Sequence, residues 1–493
     1  MYYVSTRDAS LRYTAAQAIV QGLSREGGLF LPSEIPQLSA EDLTELTRCS
    51  YPERAAHIMG LYLDDFSQQE LLGFAEKAYG PAKFDTPAAA PVVKTEDGTY
   101  VLELWHGPTC AFKDMALQML PYLLTASLRK TGEEKTVCIL VATSGDTGKA
   151  ALEGFRDVDR TKILVFYPDG GVSDIQKLQM VTQQGANVGV CAVRGNFDDA
   201  QTGVKTLFSD AALREELAAR GYFLSSANSI NWGRVLPQIV YYVSAYCDLV
   251  TDGQLAMGEA LDVCVPTGNF GNILAAYYAR CMGVPLRRLV CASNANNVLT
   301  DFLTTGTYDR NRPFYQTASP SMDILISSNL ERLLYLLSGS DAEVRGYMAQ
   351  LAETGRYTVS DKIRSAMQAV FACGFCDDAG TEAMIGEEYR RGYLLDTHTA
   401  VAYRVAEQFR SADGSGTPML VASTASPFKF CASVLHALGC EALRDGTAII
   451  GQLAEASGRP APAPLAGLAG KQVRFDEVVD KGAMRAVVTE FLR

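Results

Sequence analysis

The chain has 493 residues, with 44 Lys and Arg against 56 Asp and Glu, for a formal net charge of −12. That length exceeds what one hydrophobic core usually supports, so two or three domains are expected. With 48% hydrophobic and 20% charged residues the composition is that of a globular protein, and the acidic balance argues against nucleic acid or an anionic membrane as the main partner.

Met1 to Leu23 carries Arg7, Asp8 and Arg12 and lacks a continuous apolar block, so it does not read as a signal peptide. The first 95 residues or so read mainly as helices with loops, and Pro87 and Pro91 mark a connector. From there short apolar runs end in glycine-bearing loops and lead into helical stretches. Val137 to Thr143 runs into Ser144-Gly145-Asp146-Thr147-Gly148, and Ile163 to Tyr167 into Pro168-Asp169-Gly170-Gly171. Val263 to Pro266 runs into Thr267-Gly268-Asn269-Phe270-Gly271-Asn272 and a helix from Ile273. Leu289 to Ala292 leads into a polar loop, and Met419 to Ala422 ends at Ser423-Thr424. This alternation predicts an α/β fold with parallel sheets flanked by helices. Ligands of such sheets sit beyond the carboxyl ends of the strands, where these loops fall.

The apolar runs are strand-sized and too short to span a bilayer. Twelve cysteines without a small-domain framework suit a reducing compartment, and the cytoplasm is the expected location. Cys373 and Cys376 form the only CxxC. They read as a chance pair on a helix end, since no second CxxC or His pair completes a zinc set, and no metal is expected.

Gly268 and Gly271, three apart, let the backbone turn tightly between a strand and a helix. The unpaired N–H groups and the dipole at that helix start make an anion cup, although a plain strand-to-helix turn has the same spacing. Ser144 to Gly148 cradles an anion by the same logic, with hydroxyls from Ser144 and Thr147. It is not a nucleotide loop. Thr143 stands at the first glycine of GxxxxGK[ST], and Ala150 where a Mg²⁺-binding hydroxyl belongs.

Lys113 lies in His106-Gly107-Pro108-Thr109-Cys110-Ala111-Phe112-Lys113-Asp114 and precedes the apolar Met115 to Leu120. That setting predicts a partly buried amine with a lowered pKa, nucleophilic enough to attack a carbonyl cofactor. Asp114 is expected to orient the loop.

Taken together, these segments resemble the threonine synthases of the fungal and Gram-negative bacterial branch, fold-type II enzymes of the tryptophan synthase beta superfamily. Besides the segments already quoted, the likeness runs through Tyr3 to Arg7, Gly195 to Asp199, Ser226 to Trp232, Asp396 to Ala400 and Ser423 to Ala425, in family order. The resemblance implies pyridoxal 5'-phosphate as cofactor, held on Lys113 as a Schiff base. It implies that Gly268, Asn269, Phe270, Gly271 and Asn272 cup the cofactor phosphate and that Thr424 faces the pyridine nitrogen. Ser144, Gly145, Asp146 and Thr147 take the substrate carboxylate by the same likeness. Asn228, Ser229, Asn231 and Arg234 are candidates for the departing phosphate, with Lys177 as an outside possibility, while His106 and His398 read either as satisfied polar residues or as having a direct role.

The implied organisation is an N-terminal domain over residues 1–95 and a catalytic region over 96–450 with a smaller α/β subdomain at about 135–210. A C-terminal segment, 451–493, is expected to pack on the catalytic region. The implied reaction converts O-phospho-L-homoserine and water to L-threonine and phosphate, the last step of threonine biosynthesis, in a monomer or homodimer. Two alternatives share these motifs: a phospholyase releasing 2-oxobutyrate and phosphate, and a non-catalytic protein that only binds the cofactor. The sequence departs from the family at Ser426, where a histidine is usual, and at Thr397, where a proline is usual.

Overall fold

Two largely parallel sheets carry the buried apolar strands. The computed structural model describes residues 1–493 apart from the side chain of Asp198, so that part of the Gly195 to Asp199 segment lies outside the described residues. The larger sheet has six strands in the order Phe371–Phe375, Leu286–Ser293, Leu261–Pro266, Met419–Ser423, Tyr100–Glu103 and Val92–Lys94. All pair in parallel except the outermost, Val92–Lys94, which runs antiparallel. The smaller sheet is parallel throughout, in the order Val478–Val479, Val188–Val193, Thr161–Pro168, Thr136–Ala142 and Tyr222–Ser225. Strands such as Leu261–Pro266, buried at every position, lack alternation because helices cover both faces of a parallel sheet.

Residues before 95 hold more than helices and loops. Tyr3–Ser5 pairs antiparallel with both Asp8–Tyr13 and Phe30–Pro32, giving a three-stranded sheet beside the expected helices. Two of these strands are three residues long, too short to display a period of two. Cys373 lies on the strand Phe371–Phe375 with Cys376 just beyond it, so the pair sits at a strand end rather than a helix end.

The N-terminal sheet is tied to the rest through side chains. Trp232 is surrounded by Tyr3, Tyr62 and Tyr278 at ring separations of 5.8, 5.7 and 5.3 Å. Arg332, fully buried, donates to the carbonyls of Phe30 at 2.8 Å and Ile230 at 2.6 Å, and also to Asn329 Oδ1. After the helix Ala448–Ser457 the chain crosses to the smaller sheet. Arg474 N bonds Val181 O at 2.8 Å, Val478–Val479 adds an edge strand beside Val188–Val193, and the helix Met484–Phe491 joins that sheet's core through Met484 and Val488. No helix among the described residues is long and apolar enough to cross a membrane.

Candidate active site

The carboxyl ends of both sheets converge on Lys113, the first residue of the short helix Lys113–Leu117. The preceding loop is fastened to the strand Met419–Ser423 and its continuation: Phe112 N donates to Thr424 O at 2.8 Å and Ser426 N to Cys110 O at 3.1 Å. Only 11% of the Lys113 side chain is exposed, and its Nζ donates to Ser321 Oγ at 3.3 Å and lies 3.9 Å from Asp146 Oδ2. Burial lowers this amine to about 8; Asp146 opposes the shift, while Lys429 and Arg234 add to it. Asp114 turns inward, accepting from Thr109 N at 2.8 Å and Thr109 Oγ1 at 2.9 Å, and so closes the loop that carries the lysine.

Beyond Leu261–Pro266 the chain turns at Phe270, whose φ of 62° is left-handed, and enters the helix Gly271–Cys281. Among the described residues no backbone amide from Gly268 to Asn272 has an acceptor in the chain. A side chain at Gly268 is excluded, since a Cβ there would stand 2.7 Å from Ser321 O. Asn272 is buried. Its Oδ1 accepts from the hydroxyls of Tyr241 and Tyr242, each at 2.6 Å, and its Nδ2 has no partner. Free amides, a helix start of positive polarity and an orphaned amide donor fit the phosphate of pyridoxal phosphate, with Lys113 as the amine for its aldehyde.

Gly145, at φ 136°, opens the helix Asp146–Phe155 after the strand Thr136–Ala142, and Thr143 Oγ1 accepts from Gly145 N and Gly148 N. Asp146 is buried and accepts from Lys429 Nζ at 2.8 Å and Gln176 Nε2 at 2.9 Å. Burial works against its charge, but Lys429 and then Lys113 outweigh that and hold the carboxyl below the usual range.

On the remaining side, Ser229 Cβ lies 3.8 Å from where a Cβ on Gly271 would stand. Arg234 is buried, donates to Ala227 O, and leaves Nε without an acceptor. Asn231 is spent on bracing: Nδ2 donates to Ile19 O at 3.0 Å and Oδ1 accepts from Gly233 N at 2.9 Å. The Asn228 backbone shapes the same turn, its carbonyl accepting from Asn231 N. Lys177 is half-exposed and 4.0 Å from Asp169, on the helix Asp174–Val181.

Both histidines of the sequence motifs are engaged. His106 lies between Asp85 Oδ1 at 2.6 Å and Glu103 Oε2 at 2.8 Å; burial opposes its charge, but the two carboxylates hold its pKa up. His398 Nε2 accepts from Ser321 N at 3.1 Å, which puts the ring proton on Nδ1, 3.0 Å from Asp396 Oδ1. Ser321, Ser327, Asn329, Gln176 and Lys429 were not singled out by the sequence. Ser327 Oγ donates to Gly268 O at 2.7 Å and Asn329 N to Asn269 O at 3.1 Å, so one long loop holds the glycine turn. The signal for it is present in Ser319-Pro320-Ser321 and Ser327-Ser328-Asn329, clustered polar turn residues ahead of an amphipathic helix.

Family models match along the chain: the threonine synthase N terminus at residues 2–79, the pyridoxal-phosphate dependent enzyme at 82–421 and the threonine synthase C-terminal at 399–488. This chain belongs to the threonine synthase family of pyridoxal-phosphate dependent enzymes. It is 42% identical over 435 residues to human threonine synthase-like 1, covering 86% of this chain but only 58% of that protein. To the threonine synthase of Pseudomonas aeruginosa it is 38% identical over 433 residues, covering 87% of this chain and 89% of that one. The crystal structure of pyridoxal-phosphate-bound threonine synthase from Brucella melitensis superposes with a TM-score of 0.88 at 38% identity, over 100% of both chains. Threonine synthase family membership carries with it the fold-type II architecture and the cofactor, pyridoxal phosphate.

Proposed function

We propose that this chain is a threonine synthase, converting O-phospho-L-homoserine and water to L-threonine and phosphate. The observation that carries the reading is a second anion contact beside the cofactor cup. Arg234 is buried, has no carboxylate partner among the described residues, and leaves Nε unbonded. An unpaired buried guanidinium is costly. A substrate with its own phosphate offers the missing acceptor, whereas free serine or threonine does not.

Pyridoxal phosphate, when bound, supplies the delocalisation of the electron pair left behind as the substrate loses a proton. The amides of Gly268 to Asn272 and Nδ2 of Asn272 would hold its phosphate, and Thr424 would face its ring nitrogen. A neutral hydroxyl at that position favours an unprotonated ring. Ser144 and Thr147 receive the substrate carboxylate, and Ser229 and Arg234 the phosphate that leaves from Cγ. Lys113 Nζ takes the proton from Cα; a positioned general base of this kind contributes about 10²–10⁴-fold. A proton is also lost from Cβ as phosphate leaves Cγ; water then adds its oxygen at Cβ, and protons return to Cα and Cγ, so that substrate and water balance L-threonine and phosphate. The free cysteines support a reducing compartment, the cytoplasm, and the reaction itself would be the last step of threonine biosynthesis.

The test is turnover of O-phospho-L-homoserine with chiral analysis of the product. L-threonine and phosphate in equal amounts are expected. 2-Oxobutyrate without threonine would make the protein a phospholyase, and phosphate release no faster than background would leave it a cofactor-binding protein. Ser426, buried where the family places a histidine, removes one proton donor near the cofactor, so product identity is the informative readout.

A further inference from the structure

Lys429 is the deepest cation near the site, with its side chain 0% exposed. It sits at the end of the short turn Pro427–Lys429, just past the strand Met419–Ser423, and reaches back toward both active loops. Its Nζ donates to Thr109 O at 2.9 Å, in the lysine loop, and lies 2.8 Å from Asp146 Oδ1, in the glycine loop. Gln176 Nε2 takes the same oxygen at 2.9 Å, so Lys113 faces only Oδ2, at 3.9 Å. Lys113 and Lys429 thus share one ionised carboxylate, Asp146. The other acid nearby, Asp114, is occupied by Thr109, and burial raises its carboxyl to about 6. Cys110, also facing Lys429, is buried with its thiol pushed up to about 12 by burial.

We propose that Lys429 is a positioning residue for the reaction: by engaging Asp146 it deprives Lys113 of a full counter-charge and keeps that amine available in its neutral form. The physical sense is competition for one carboxylate. An opposite charge within about 4–6 Å stabilises an ammonium by about one to three pH units, and a like charge acts in reverse. Lys429 therefore acts twice on Lys113, directly as a neighbouring cation and indirectly by engaging Asp146. Burial of Lys429 is the cost of this arrangement, offset by the ion pair and the Thr109 carbonyl. A lysine whose only task was to hold the fold would have no reason to share its carboxylate with the reactive amine.

The inference rests on Lys113 being the lysine that binds the cofactor, and the experiment separates the two. Full-length protein freed of cofactor is mixed with pyridoxal 5'-phosphate, and the rate of appearance of the imine absorbance is followed against pH. In Lys429→Met the midpoint is expected to rise by about one pH unit or more, because Lys113 is then the only cation paired with Asp146. In Asp146→Asn, which is isosteric, it is expected to fall, because two cations then face each other unscreened. Lys429→Arg is expected to keep the original midpoint. An unchanged midpoint in folded Lys429→Met, or shifts of the same sign in both variants, would overturn the proposal. Should Lys429→Met not fold, the absence of a downward shift in Asp146→Asn overturns it alone. Lys113→Ala loses the absorbance altogether if the cofactor lysine is assigned correctly; retention of the band there sinks the assignment itself.

Discussion

Tyr242 donates its hydroxyl to Oδ1 of Asn272 at 2.6 Å. With Tyr241 doing the same, the amide has one orientation, its oxygen on the tyrosines and its Nδ2 left as an unpartnered donor. The tyrosines turn an ambiguous side chain into a fixed donor.

Asn272→Asp should therefore weaken cofactor binding by about 10–100-fold, the loss of one hydrogen bond to a charged group, and more at low salt because a carboxylate faces the phosphate. Titration of the cofactor-free protein by absorbance checks this. Tyr242→Phe, which leaves Tyr241 to hold the amide, should cost less.

Attachment of the cofactor should depend on pH as the Lys113 amine does. Burial lowers it to about 8, so the neutral fraction, and the rate, grow about fivefold from pH 7 to 8 and level off above pH 9. An exposed lysine would keep accelerating to beyond pH 10. Stopped-flow absorbance across this range measures the midpoint.

Arg234→Met should raise KM for the phosphorylated substrate by about 10–100-fold and abolish competitive inhibition by inorganic phosphate. The imine absorbance should stay intact, since the cofactor cup lies on another segment. Initial-rate kinetics with and without phosphate separate these effects.

Arg332→Met should destabilise the protein by about 2–5 kcal/mol, measured by denaturant unfolding, because the Phe30 and Ile230 carbonyls and Asn329 Oδ1 lose their shared donor. Arg332→Lys should not restore it. A single ammonium cannot reach Phe30 O, Ile230 O and Asn329 Oδ1 together.

Much of the site was legible because its parts are local. The Gly268 turn and the Ser144 loop each follow an apolar strand directly, and Lys113 stands among Gly, Pro, Thr and Phe ahead of the apolar Met115 to Leu120. Residues that act across the fold were not legible. Lys429 meets Asp146 over nearly three hundred residues, and Ser321 reaches Lys113 from a loop without strand or helix periodicity. Neither spacing nor composition encodes such a meeting. The N-terminal sheet was hidden for a simpler reason: Tyr3–Ser5 and Phe30–Pro32 pair with each other across helix Ala15–Gln21, each too short to signal alone.

The place of Met419–Ser423 in the larger sheet, between Leu261–Pro266 and Tyr100–Glu103, bears on how the protein is made. On the ribosome, the strand leading into the lysine loop has no central neighbour to pair with until more than three hundred further residues have been synthesised. A nascent chain halted before that point holds the Lys113 amine and the glycine turn in an open sheet with exposed edges, prone to aggregation. Cofactor capture is thus expected to follow completion of the sheet, and fragments ending before residue 419 should neither bind pyridoxal phosphate nor stay in solution without a chaperone.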